Sequence, residues 1–195
     1  MQHRQKRIMR WARWLATFVG FPVAGVVARV CVGDVDDLAA AAVGGLVGGA
    51  VLGAIQAFVG GIAPRDRLRW AVATACGLSI GLAAGMRLVD YGTDTASLVV
   101  MGAVCGAAVG LAQAVSVPMS ARDRLMWAIA TPLLWAGGWL ITSQVIVDAD
   151  RHHAIFGSSG AFVVSAVSGV LVAVRRADVP QVQRATPFSS VASAS

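Results

Sequence analysis

Six stretches without Asp, Glu, Lys or Arg restrict what this chain can fold into. They are residues 14–28, 38–64, 70–86, 95–121, 125–147 and 152–174. A bilayer-crossing helix needs about 20 mainly apolar residues, within a range of about 17–25. The first stretch falls short, but Arg13 and Arg29 flank it and extend its reach by snorkelling. The two longest exceed a hydrocarbon core of about 30 Å at about 1.5 Å per residue. They therefore include turn residues such as Gly60, Gly61, Pro64 and Pro118, or they tilt. Of 195 residues, 57% are hydrophobic and 13% charged, against about 25% charged in soluble domains. A water-soluble fold of this composition lacks the polar surface to cover itself. The expectation is an all-α integral membrane protein with six transmembrane helices, near 12–31, 38–62, 69–89, 97–117, 124–146 and 156–174. Together they form a domain over 11–176, between a basic N-terminus at 1–10 and a polar tail at 177–195.

A tandem repeat organises these helices. Ala-Thr occurs at 16–17, 73–74 and 130–131, a step of 57 residues. Around the last two copies the match widens. Gly45, Gly49, Gly53, Gln56, Arg65, Asp66, Arg67, Leu68, Trp70 and Thr74 recur as Gly102, Gly106, Gly110, Gln113, Arg122, Asp123, Arg124, Leu125, Trp127 and Thr131. The step covers two spans, so successive copies share one orientation and are parallel repeats, not inverted ones. Spans 2 and 3 form one hairpin unit and spans 4 and 5 the next. Span 6 supplies the first half of a third unit and span 1 its second half. The expected arrangement is a pseudo-threefold ring of parallel helical hairpins, cut within one unit. Ala161, Ser165 and Gly169 echo Gly102, Gly106 and Gly110 with a shift of two residues. Basic residues followed by an apolar stretch also fit a secretory leader, with Val26-Val27-Ala28 as a cleavage site. However, Thr17, Gly20, Ala24 and Ala28 share the register of Thr74, Gly77, Gly81 and Gly85, which identifies a structural helix.

Charge orients the bundle. One set of connections holds 13 of the 16 basic residues, at Arg4–Arg13, Arg65–Arg69, Arg122–Arg124 and Arg175–Arg184. The other holds Arg29, Arg87 and Arg151, together with Asp34, Asp36, Asp37, Asp90, Asp94, Asp148 and Asp150. Translocating Lys and Arg is disfavoured, so the basic side and both termini are expected in the cytoplasm, in a cell (inner) membrane. The net charge of +6 reads as this device plus attraction to anionic lipid headgroups, at about 1 kcal/mol per basic group. The expected partners are the bilayer and a second copy or another membrane protein. Nucleic acid is excluded, because no folded basic face exists to hold it. Residues 177–195 have no apolar period to bury and read as a disordered cytoplasmic tail. Residues 1–10 read similarly.

Polar residues within the spans are few. Gly45, Gly49, Gly53 and Gln56 fall within an arc of about 80° at about 100° per residue. Gly102, Gly106, Gly110 and Gln113 do the same, and Gly77, Gly81 and Gly85 mark a small-residue face on the third span. Such faces allow close helix packing, the main source of helix contact in lipid. Gln56 and Gln113, with Thr17, Thr74 and Thr131, are expected to hydrogen-bond across hairpins or to form a polar ring facing a central vestibule. Val172 occupies the third Gln position, which leaves that ring incomplete. Asp66 and Asp123 are expected to cap the helices that follow them. Trp11, Trp14, Trp70 and Trp127 fit an interfacial belt. Cys31, Cys76 and Cys105 show no disulfide or zinc spacing. Asp148, Asp150, His152 and His153 share a loop, but adjacent His residues there read as solvated. No metal, cofactor or catalytic residue is expected. No ionisable group lies mid-span, and no phosphate loop, nucleophile elbow or HExxH appears.

Gly-x3-Gly-x3-Gly-x2-Gln, a basic turn and Trp-Ala-x-Ala-Thr together resemble uncharacterised bacterial multi-pass membrane proteins with glycine-rich helical-hairpin repeats. The resemblance covers residues 45–142 best and implies an inner-membrane location without a known activity. The six-span, three-unit plan is also similar to that of mitochondrial carriers, but their Pro-x-Asp/Glu-x2-Lys/Arg motif is absent. Six-span vitamin-binding subunits of energy-coupling transporters have similar length but lack this repeat. The expectation is a non-enzymatic structural or accessory protein. The alternative is a small channel or transporter subunit using the pseudo-threefold centre.

Overall fold

The computed structural model describes residues 2–145 and 159–175. Every regular element among them is helical. The long helices are α1 (Gln2–Leu15), α2 (Gly20–Val32), α3 (Leu38–Val59), α4 (Arg67–Leu88), α5 (Thr95–Ser116), α6 (Ala121–Val145) and α7 (Ser159–Arg175). A 3₁₀ turn at Ala16–Val19 joins α1 to α2, and another at Pro64–Asp66 leads into α4. Pro22 lies just beyond the first turn. It has no N–H to donate to the Phe18 carbonyl, which weakens α-helical pairing there. The basic N-terminal segment is therefore helical from Gln2 and continuous with the first apolar run, where a disordered arm was expected.

Five helical stretches are long and apolar enough to cross a membrane: His3–Val32, Leu38–Val59, Pro64–Leu88, Thr95–Ser116 and Ala121–Gln144. Ser159–Val174 is apolar but shorter. The helices form a closed ring. Each of α2 to α6 packs on its successor, and α7 returns to α1. Large apolar side chains such as Phe58, Ile80, Leu111, Val115 and Leu133 face outward and are exposed, while Gln56, Thr74, Gln113 and Thr142 are buried. This distribution inverts that of a water-soluble domain and suits a membrane protein.

Glycines bring the backbones into contact. A Cβ on Gly49 would lie 2.7 Å from the Ala75 Cα and 2.7 Å from the Thr74 carbonyl oxygen. A Cβ on Gly106, 57 residues later, would lie 2.8 Å from the Pro132 Cα and from the Thr131 carbonyl oxygen. Gly53 and Gly110 meet the Cβ atoms of Thr74 and Thr131 in the same way, each at 2.8 Å. Gly45 packs on Ser79, and Gly102 on Trp135 and Trp139. Gly77 and Gly81 bring α4 against Val109 and Cys105 of α5. Gly85 is looser, facing the flexible Met101 side chain.

The ends are closed by local chemistry. Asp37 caps α3 by accepting from the Ala40 N–H, and Asp94 caps α5 by accepting from Ala96 and Ser97. The expected caps at Asp66 and Asp123 differ. Asp66 ends the 3₁₀ turn and makes no side-chain cap, while Ser120 accepts from the Asp123 N–H and starts α6. Arginines satisfy carbonyls at the opposite helix ends, where positive charge is favoured. Arg13 donates to the Val59 carbonyl and Arg124 to the Ala114 carbonyl, each at 3.1 Å.

Two measurements check this account. Gly49→Ala and Gly106→Ala should each destabilise the folded state by about 1–3 kcal/mol, the usual range for overpacking. Gly137→Ala, where an added Cβ meets nothing within 4 Å, should be neutral or slightly stabilising; unfolding in detergent reads all three. The second concerns the Asp94 carboxyl, which is held below its usual range chiefly by the Ser97 hydroxyl, then by the Ser97 and Ala96 N–H groups. Its cap is fully formed above the unfolded-chain pKa and lost as pH falls through the lower folded-state value. Amide protection at Ala96 and Ser97 should follow that loss, and Asp94→Asn should keep the cap while removing its pH dependence.

Candidate functional site

Three tryptophans meet at the centre of the ring, near the α3–α4 and α5–α6 connections. The centroids of Trp14 and Trp70 are 6.0 Å apart, those of Trp14 and Trp127 5.8 Å, and those of Trp70 and Trp127 5.9 Å. The interplanar angles are 83°, 80° and 58°, so the rings pack edge to face or tilted. This is a favoured aromatic geometry, worth about 0.5–1.5 kcal/mol per pair beyond area burial. All three residues are at most 3% exposed. The interfacial belt expected of Trp14, Trp70 and Trp127 is therefore corrected to a central plug. Trp11 remains half-buried and donates to the Ala166 carbonyl.

A buried indole N–H needs an acceptor, and the layer beneath the plug supplies one for each ring. Trp70 donates to Gln56 Oε1 at 3.1 Å and Trp127 to Gln113 Oε1 at 3.0 Å. Both pairs are 14 residues apart and span one hairpin. Trp14 donates to Ser168 Oγ at 2.9 Å. Gln113 Nε2 then links the corners, donating to Gln56 Oε1 at 3.0 Å and to Thr74 Oγ1 at 2.9 Å. One amide thus ties α5 to both α3 and α4.

The structure joins Gln56, Gln113 and Thr74 and leaves the other two threonines outside that junction. Thr17, Thr74 and Thr131 each donate to the carbonyl of a tryptophan on their own helix, at 2.7, 2.8 and 2.7 Å. Thr74 and Thr131 reach back four residues, to Trp70 and Trp127, whereas Thr17 reaches back three, to Trp14. The 3₁₀ turn at Ala16–Val19 lies at that difference. Its tighter winding of about 3.0 residues per turn brings residue i−3 to the place that an α-helix gives to i−4. The third acceptor is Ser168, not residue 172: Val172 packs against the tryptophan layer itself.

Beneath the polar layer in turn, Leu52, Val109, Trp135 and Val164 close the centre with apolar side chains. The axial order is therefore tryptophan, amide and hydroxyl, then hydrocarbon. A cavity of about 20 Å³ lies beside the third corner, lined in part by Trp14, Gln56, Gln113, Thr131, Ser165 and Ser168. No group of three or more metal-ligating side chains occurs among the described residues. Asp148, Asp150, His152 and His153 lie outside them. Comparison with protein-family models, curated proteins and solved structures found no match.

Sequence reasoning missed the pairing of Gln with Trp. The signal was available in Gln56-x13-Trp70 and Gln113-x13-Trp127, two identical donor–acceptor spacings on facing helices. Trp14 stood one residue out of the 57-residue register, which puts Arg13 at the matching position and hid the third corner.

A double-mutant cycle tests the amide junction. Gln56→Leu and Gln113→Leu should be non-additive, with a coupling of about 0.6 and at most about 1.7 kcal/mol, the span measured for side-chain hydrogen bonds in bilayers. Unfolding followed by tryptophan fluorescence reads it, and additive losses would show that the two amides act separately.

Proposed function

We propose that this chain is a six-span, non-enzymatic scaffold of the cell membrane, built as a pseudo-threefold ring of parallel 57-residue hairpins. Its basic connections and both termini face the cytoplasm. The observation that carries the reading is the closed tryptophan triangle, with centroids 5.8–6.0 Å apart on the ring axis. Three edge-packed indoles leave no passage between them. The glutamines behind them spend hydrogen-bonding groups on one another and on the indoles, as a static junction does. A solute pathway instead needs polar groups free to exchange partners with what passes.

Apart from Asp66 in the α3–α4 connection, the buried polar side chains of the described bundle are amides, hydroxyls and indoles. Buried mid-span carboxylates or histidines, the usual agents of proton coupling, are not among them. This chemistry suits a protein that holds a shape. The outward apolar surface meets lipid and remains open to a second copy or another membrane protein. The hairpin reading is supported by contacts that recur between residues 57 apart, Gly49 on Ala75 and Gly106 on Pro132. The resemblance to glycine-rich bacterial multi-pass proteins belongs to the same reading.

The alternative, a channel or transporter subunit, requires the indole triangle to part. Flux across proteoliposomes separates the two. The wild-type chain should pass ions and small neutral solutes no faster than protein-free vesicles, and rates clearly above that background would overturn the scaffold reading. Reporter fusions in the connections at Arg65 and Arg122 should report the same, cytoplasmic side. Opposite sides would overturn the parallel repeat.

A further inference from the structure

The third corner of the polar layer differs from the other two in chemistry and in space. Where Gln56 and Gln113 receive Trp70 and Trp127, the shorter Ser168 receives Trp14. The volume that a third amide would fill is represented by the cavity of about 20 Å³, whose polar side is formed by Ser168, Ser165, Thr131, Gln56 and Gln113 and whose apolar side includes Val109, Leu134 and Val164. Ser165 is 2% exposed, and its hydroxyl has no hydrogen-bond partner among the described residues. Gln56 is 7% exposed. Its Oε1 already accepts from Trp70 and Gln113, while its Nε2 has no acceptor among the described residues. Unpartnered buried polar groups cost about 1–3 kcal/mol each.

We propose that this cavity is a binding site for one water molecule, which takes the place of the third glutamine. The size fits, because a polar cavity holds a water from about 10–15 Å³ upward. The partners fit as well. Gln56 Nε2 and the Ser165 hydroxyl are donors, and the second lone pair of Gln113 Oε1 and the oxygens of Thr131 and Ser168 are acceptors. A bound water makes about three hydrogen bonds, and this wall offers donors and acceptors for both ends of it. A metal cation would face the N–H groups of Gln56, and an anion would need more donors and a larger space. The ligand is therefore neutral. The inference stands whether the bundle is a scaffold or a channel, because it rests on the polar wall alone.

The test uses the purified full chain in detergent. Radiolysis in ¹⁸O-water oxidises side chains that touch trapped water. Trp14 and Trp127 should take up ¹⁸O despite their burial, well above Trp70, which does not line the cavity. Ser165→Ala should lower the folding equilibrium constant roughly fivefold, the effect of one lost hydrogen bond of about 1 kcal/mol. Ser168→Gln should reduce the Trp14 and Trp127 labelling to the Trp70 level by filling the site. Equal labelling of all three indoles in the native chain would overturn the proposal without recourse to any variant. A melting temperature that shifts between sodium, potassium and choline chloride at equal ionic strength would overturn it in favour of a cation.

Discussion

Close backbone contact through glycine is the constraint on which the rest of this structure depends. In lipid no hydrophobic force drives helices together, so association relies on dispersion and on short approach distances. Gly49 and Gly106 let the backbone of the preceding helix reach the Cα atoms of Ala75 and Pro132. That approach narrows the centre of the ring. Only in a narrow centre do three indoles from three different helices touch, with centroids 5.8–6.0 Å apart. With larger residues on the helix faces, the same tryptophans would stand apart and their N–H groups would lose their acceptors. The small-residue stripe and the aromatic plug are therefore one device.

The plug places a demand on the layer beneath it. Each buried indole brings one donor that lipid cannot satisfy. Two corners meet the demand with a glutamine from the facing helix, and Gln113 has N–H groups left over to hold Gln56 and Thr74. Four helices share this junction, so a displacement of α5 breaks bonds to α3, α4 and α6 together. Coupled hydrogen bonds of this kind give a core a single arrangement. The third corner satisfies its indole through Ser168, which itself donates back to the Val164 carbonyl of α7. It is joined to the rest by packing rather than by an amide bridge.

Much of the helical layout was legible because charge-free runs and a 57-residue step are long-range signals that local details cannot erase. Asp37 and Asp94 begin helices where the second and fourth runs begin, as the physics of capping requires. The site was less legible. Gln56 and Gln113 stood out as polar residues in apolar surroundings, but their partners are set by which face of each helix points inward. Trp70 is amphipathic and serves equally well at a headgroup interface or beneath a facing amide; only packing decides between them. The third corner was hidden for a different reason. Trp14 reaches its place through a 3₁₀ turn that absorbs one residue of register, a change of winding that no residue identity announces. Pro22 explains the weakened helix there only once the turn is seen.

The departures from regularity gather at one seam. Where α7 meets α1, the acceptor is a serine, the helix winds as 3₁₀ and the cavity lies beside the contact. The two halves of this contact lie at opposite ends of the described chain, so no short turn fixes their relative height. The α3–α4 and α5–α6 pairs have that constraint from their short connections, and their Gln–Trp spacing is correspondingly identical. A long amide at the seam would need its partner at one defined height, whereas a serine hydroxyl with an adjoining polar space tolerates axial offset. The irregular chemistry thus sits where the chain is least able to enforce register, and the regular chemistry where turns enforce it.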